Sequence, residues 1–252
     1  MFYNFDGLWW LLLLLGPLVI FQRRLHRELQ AVFLLVTRRI EIALLLFSFL
    51  FFPGVFLHEV SHFLMARLLG VRTGRLSLIP RTLDNGRLQM GYVETASTDI
   101  FRDALIGAAP LIVGGLFVAY AGLVQLRLTD LWSPLTGGEL ATVIDKLETI
   151  YSRPDFWLWF YLAFTTSSTM LPSASDRRAW LPLAFVVGLL LGVSVLAGAG
   201  PWMVANLATP FNNAMRSVAV VIAISLLLHT LVLLPMWGLR ILLSRLLKLK
   251  VV

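Results

Sequence analysis

Phe47-Ser48-Phe49-Leu50-Phe51-Phe52-Pro53-Gly54-Val55-Phe56-Leu57-His58-Glu59-Val60-Ser61-His62-Phe63-Leu64-Met65 is an apolar run that carries three ionisable side chains near its middle. Residues four apart share one face of a helix, so His58 and His62 can grip a single metal ion. Glu59, beside the first imidazole, is within reach of a water on that ion and can take its proton. Charged and titratable groups inside a hydrophobic helix are costly, and are kept for function. The apolar stretch extends over 40–69, about 30 residues. Roughly 20 suffice to cross a bilayer, so this one is expected to tilt or project. Pro53-Gly54, just before the motif, is expected to kink it.

The rest of the chain is of the same kind. Of 252 residues 58% are hydrophobic, and the mean hydropathy is +0.83. This composition excludes an ordinary soluble domain and predicts a polytopic membrane protein. Apolar segments recur at 7–22, 40–69, 104–126, 156–172, 179–199 and 217–238, so about six transmembrane or re-entrant helices are expected. The first is short and contains Gly16-Pro17, which leaves spanning and re-entrant readings open. No small-residue cleavage site follows it, so it is read as a retained segment rather than a secretory signal. The net charge of +7 comes from arginines beside the apolar runs, where headgroups attract them, and is not read as a nucleic-acid signal. There is no cysteine, so disulfides and thiolate ligands are excluded.

Between the first two apolar segments, Leu25, Leu29, Val32, Phe33 and Val36 recur at helical spacing, with Arg23, Arg24, Arg27, Arg38 and Arg39 on the polar side. Residues 23–39 therefore read as an interfacial helix or a solvated basic linker. In 71–100, Leu76, Leu78, Leu88 and Met90 flank Asp84-Asn85-Gly86, a turn signal that predicts one short β-hairpin near residues 74–94. Residues 127–155 carry five acidic and three basic residues with Pro134 and Gly137-Gly138, and read as a loop. The resulting scheme is one membrane domain over 1–252: an N-terminal segment with its basic helix (1–39), a core (40–180) and C-terminal helices (181–252). The basic stretches put the hairpin, Arg177-Arg178 and the basic C-terminus on the cytoplasmic side, with 23–39 in conflict.

Two histidines leave a catalytic metal site one ligand short. The other two, His26 and His229, are expected to be interfacial or packed. A carboxylate is the better third ligand, and Asp176 leads: Pro172 should end the preceding helix and free backbone that can turn an aspartate inward. Spacing alone leaves a second reading open, in which Asp176 is a headgroup-level residue paired with Arg177 or Arg178.

The order of these elements resembles the site-2 protease family of intramembrane zinc metalloproteases over roughly residues 40–180. His58, Glu59 and His62 match its HExxH element in full. Pro172 and Asp176 match its second motif, Asn-Pro followed by Leu-Asp-Gly, whose Asp binds zinc. Ala109-Pro110, in Gly107-Ala108-Ala109-Pro110, is similar to the small-residue motif opening the family's next helix. The family's Asn is absent, Leu-Asp-Gly is replaced by Ser175-Asp176-Arg177, and no PDZ or nucleotide-sensing domain is attached. The chain thus resembles a divergent member.

The resemblance implies one zinc ion on His58, His62 and Asp176, with Glu59 as catalytic base. Ser168 or Thr169 then takes the substrate- or oxyanion-binding role of the missing Asn. The implied activity is hydrolysis of peptide bonds in membrane-protein substrates, within or near the bilayer of a prokaryotic plasma membrane, with the active site toward the cytoplasm. The hairpin is read either as an edge for an extended substrate or as a structural lid. Thr165 to Thr169 either line a water path or bond back to their own helix. Two rivals stand beside this reading: a non-catalytic membrane scaffold or chaperone with a vestigial zinc site, and a small transporter. Expected partners are the substrate and the bilayer, with no nucleic acid; the oligomeric state is left open.

Overall fold

The computed structural model describes residues 5–82 and 88–249 and is predominantly helical. In chain order the elements are α1 (Asp6–Thr37), α2 (Ile40–Leu50), α3 (Phe52–Leu68), β1 (Thr73–Ser77), β2 (Arg81–Thr82), β3 (Leu88–Gln89), β4 (Tyr92–Thr95), α4 (Ile100–Ala119), α5 (Trp132–Gly137), α6 (Leu140–Tyr151), α7 (Phe156–Thr169), α8 (Trp180–Ser194) and α9 (Gly200–Leu247). Three continuous stretches are long and apolar enough to cross a membrane: 6–37, 100–125 and 180–247. A fourth crossing results if α2 and α3, bent by 64° at Phe51, count as one broken span.

The frame is a parallel pair, α1 and α9, tied at two points by charge. Near the start of α1, Asp6 takes hydrogen bonds from Asn212 Nδ2 (2.7 Å) and Arg216 Nη2 (2.7 Å), while Asn212 Oδ1 accepts from Gly7 N–H (2.8 Å). Further along, the Glu28 carboxylate accepts from Arg240 Nε. The two clamps are 22 residues apart on α1 and 24 on α9, or roughly 33–36 Å at 1.5 Å per residue. That matches the roughly 30 Å hydrocarbon core of a bilayer. Between the clamps the pair buries Leu18, Leu25, Ile222 and Leu228.

The remaining core packs against this pair. Phe47 of α2, Phe51 at the bend and Val55 of α3 join Leu25, Leu29, Phe164 and Leu233 in one cluster, onto which Leu78 and Met90 of the hairpin region fold. The hairpin therefore lies against the half of α1 and α9 nearer the Glu28–Arg240 clamp. It forms two antiparallel ladders, β1 with β4 (Leu76 opposite Val93) and β2 with β3, with an irregularity between Thr73 and Leu76. The expected turn Asp84-Asn85-Gly86 lies outside the described residues. Asp99 caps α4 by accepting from Arg102 N–H at 3.0 Å. As expected, α7 stops before Pro172.

The α3–α7 crossing is close because Gly54 faces the α7 backbone. A Cβ there would stand 2.3 Å from the Thr165 carbonyl oxygen. Gly54→Ala is expected to force the two helices apart at a cost of about 1–3 kcal/mol, read as a lowered melting temperature in detergent.

Several expectations change. The first apolar segment and the basic stretch after it form one 32-residue helix with Pro17 inside it, ending where Arg38 turns left-handed (φ 56°). Packing along α9 holds this helix together through the proline. The basic residues 23–39 thus share an end with the hairpin and the basic C-terminus, which removes the charge conflict. Residues 127–155 are helical rather than a loop, with α5 and α6 joined at Gly138 (φ 71°). Segments five and six belong to one long stretch broken at Gly198 (φ 90°). Pro110 sits inside α4 rather than at its opening, because the Asp99 cap starts the helix earlier. None of the residues of α8 is buried.

Candidate metal centre

His58 and His62 lie one turn apart on α3, and their rings are held by main-chain carbonyls of two other helices. His58 Nδ1 is 2.7 Å from the Thr169 carbonyl oxygen at the end of α7. His62 Nδ1 is 2.8 Å from the Ile106 carbonyl oxygen on α4. A carbonyl only accepts, so each Nδ1 carries the proton and each Nε2 presents its lone pair. The two Nε2 atoms face one another at 3.2 Å. Two lone pairs at that distance call for a cation between them.

Asp176 completes the group. Its Oδ1 is 3.4 Å from His62 Nε2 and its Oδ2 is 3.8 Å from His58 Nε2. Ligands held about 2.0–2.2 Å from a tetrahedral ion stand roughly 3.3–3.6 Å apart, and the three separations here, 3.2, 3.4 and 3.8 Å, lie within 0.2 Å of that range, as suits one small divalent cation. His58, His62 and Asp176 are the one group of three or more metal-ligating side chains found among the described residues. Burial works against ionisation of Asp176. The hydroxyl and N–H of Ser173 oppose it and favour the ionised carboxylate. The shortest of these bonds, from Ser173 N–H to Oδ2, is 2.7 Å.

The alternative pairing of Asp176 with its neighbouring arginines does not occur. Arg178 makes a two-pronged contact with Asp103 of α4, at 2.7 Å on each oxygen, and Arg177 Nε bonds to the Ser173 carbonyl oxygen. One stretch of α4 thus organises the centre: Asp103 anchors the loop through Arg178, Ile106 orients His62, and Gly107 makes room for Asp176. A Cβ at Gly107 would fall 1.9 Å from the Asp176 carbonyl oxygen. Removing the anchor with Arg178→Ala is expected to weaken metal affinity about 10–100-fold, the effect usual for groups that orient ligands. Metal-competition titration reads this directly.

Glu59 is buried beside this group on the same helix. The hairpin passes over it so closely that a Cβ at Gly91 would stand 2.8 Å from Glu59 Cγ. Together they line a cavity of about 560 Å³ whose walls include His58, His62, Gly91, Tyr92 and Asp176.

Ser168 and Thr169, expected to donate to substrate, reach the cavity wall, and their hydroxyls are engaged within the protein. His229 Nδ1 lies 2.7 Å from the Ser225 carbonyl oxygen and so carries the proton, leaving Nε2 to accept from the Ser168 hydroxyl at 3.0 Å. The Thr169 hydroxyl turns back to the Thr165 carbonyl oxygen at 3.1 Å. The contribution of Thr169 is its carbonyl, which holds His58. Thr165 and Ser167 likewise bond within α7, in line with the helix-bonding reading of the hydroxyl run. His229 is fully buried in this packing role, and His26 packs edge-on against Phe47 and Phe51; neither joins the metal group.

The Ser168 contacts also fix the depth of the hydroxyl run. Gln22 Nε2 donates to its carbonyl oxygen (2.5 Å), and Gln22 is six residues from the Glu28 clamp and 16 from Asp6. Ser168 therefore lies between the two clamps, roughly 9 Å inside the nearer one.

Compared with protein-family models, curated proteins and solved structures, the chain matches none. The assignment of this centre rests on its own residues.

Proposed function

We propose that this chain is a multi-pass intramembrane zinc metalloendopeptidase that hydrolyses peptide bonds of membrane-protein substrates. The observation that carries the reading is the pair of proton-free Nε2 atoms facing Asp176, with the buried Glu59 carboxylate on the same helix. The resemblance of the HExxH and Pro172–Asp176 elements to site-2 proteases supports it.

His58, His62 and Asp176 would hold the ion. Bound there, zinc supplies Lewis acidity, bringing the pKa of a water in its open position toward ~7 and polarising the scissile carbonyl. Glu59 takes the proton of the attacking water and returns it to the leaving amine, so one water is consumed and one C–N bond breaks. The main chain at Gly91 lies close against Glu59 and lines the same cavity. β4 belongs to a two-stranded sheet and lines that cavity, so an extended substrate segment can lie along it as an added strand. Local unwinding of a substrate helix exposes the amide for attack.

The active site is assigned to the cytoplasmic side because the arginine-rich ends of α1 and α9 lie at the hairpin's end of the bundle. The committed hydroxyls of Ser168 and Thr169 favour one rival, a membrane scaffold or chaperone that keeps the ion without turnover. Reconstituted protein distinguishes the two. One zinc per chain, with cleavage of a helical membrane substrate that stops on chelation and returns with zinc, is expected for the protease. Stoichiometric zinc without cleavage of any membrane substrate tested would favour the scaffold.

A further inference from the structure

Glu28 is a buried carboxylate that the metal centre does not use. Besides accepting from Arg240, it has Oε1 3.9 Å from Arg24 Nε. Around this contact opens a cavity of about 590 Å³ between α1, α2 and α9. Arg24, Arg27 and Arg240 face it against the single carboxylate of Glu28, an excess of two positive charges. Arg27 has no ion-pair partner among the described residues, and the Arg24 contact is long, so both guanidinium groups have donors to offer. The other wall is apolar, formed by Ala31, Leu34, Ile40, Ala43 and Leu44.

Depth says what such a site meets. The cavity surrounds the Glu28–Arg240 clamp, which lies one hydrocarbon thickness from the Asp6–Arg216 clamp and so at the level of lipid headgroups. Guanidinium groups match phosphate oxygens in pairs, and basic hollows between spanning helices suit anionic headgroups. The headgroup of a phospholipid lies at this depth and brings its phosphate to the charged wall.

We propose that this cavity binds the phosphate of an anionic phospholipid, held by Arg24 and Arg27 of α1. The inference rests on the membrane placement of the chain and is independent of its zinc chemistry.

The test uses the full chain in phosphatidylcholine nanodiscs containing a minor fraction of phosphatidylglycerol, followed by delipidation and native mass spectrometry. Wild type is expected to retain phosphatidylglycerol over phosphatidylcholine. Arg24→Gln/Arg27→Gln, with unchanged circular dichroism, is expected to retain roughly tenfold less. Arg245→Gln/Lys248→Gln, which removes charge at the same end but outside the cavity, is expected to behave as wild type. Equal losses in both double variants would reduce the effect to general surface charge and overturn the site. Inorganic phosphate bound in phosphatidylcholine discs, with no preference for phosphatidylglycerol, would make free phosphate the ligand and overturn the lipid assignment. A wild-type chain that stays outside the discs would instead defeat the membrane placement and the lipid site with it.

Discussion

Glu59→Gln is expected to lower turnover roughly 10²–10⁴-fold while zinc stays at one per chain, the range spanned by loss of a general base. The amide keeps the shape of the carboxylate, so the packing of Glu59 beneath Gly91 survives. It cannot accept the proton of the attacking water, so the chemistry does not. Glu59 is not one of the three ligating side chains, so metal content should not follow activity. Single-turnover cleavage of a reconstituted membrane substrate, with zinc measured on the same sample, separates the two. Near-normal cleavage by this variant would remove Glu59 from the mechanism, and loss of zinc would make it a ligand instead.

Asp176→Ala is expected to reduce zinc affinity roughly a hundredfold or more, because two imidazoles and water do not complete the usual set of three protein ligands. Gly107→Val is the sharper companion. It keeps every ligand but places side-chain atoms where the Asp176 carbonyl oxygen now sits. It is expected to weaken binding about 10–100-fold, as displacement of a supporting group does. Competition with a zinc-sensitive dye measures both. Full affinity in Asp176→Ala would return the third position to another group and break the assignment of the centre.

The parts of the centre legible in the sequence are those set by local periodicity. His58 and His62 meet because helical geometry brings residues four apart onto one face, whatever surrounds them. Asp176 was traceable through Pro172, which disfavours continuation of α7, although Pro17 and Pro110 stay inside helices held by their packing. The groups that orient these ligands were not traceable. The Thr169 and Ile106 carbonyls are main-chain atoms, which every residue has, and they lie 111 and 44 residues away from the rings they hold. Arg178 read as a neighbour for Asp176, yet it pairs with Asp103, 75 residues distant. Ser168 illustrates the same limit: its hydroxyl looked available until His229 came beside it.

For the fold, composition alone predicted a helical membrane chain, because the apolar surface exceeds what a soluble domain can bury. The short hairpin followed from two alternating runs around a turn signal. How the segments join was another matter. Gly16-Pro17 weakens a helix locally, but whether it breaks α1 depends on the packing supplied by α9, more than 200 residues later. The sequence by itself determined which side chains can ligate a metal and that they sit in an apolar chain, since side-chain chemistry and helical period are local properties. Only the tertiary structure decided which nitrogen of each imidazole is free, which partner Asp176 faces and where the hydroxyls of α7 are spent. Those outcomes are settled by contacts between helices, which no single segment encodes.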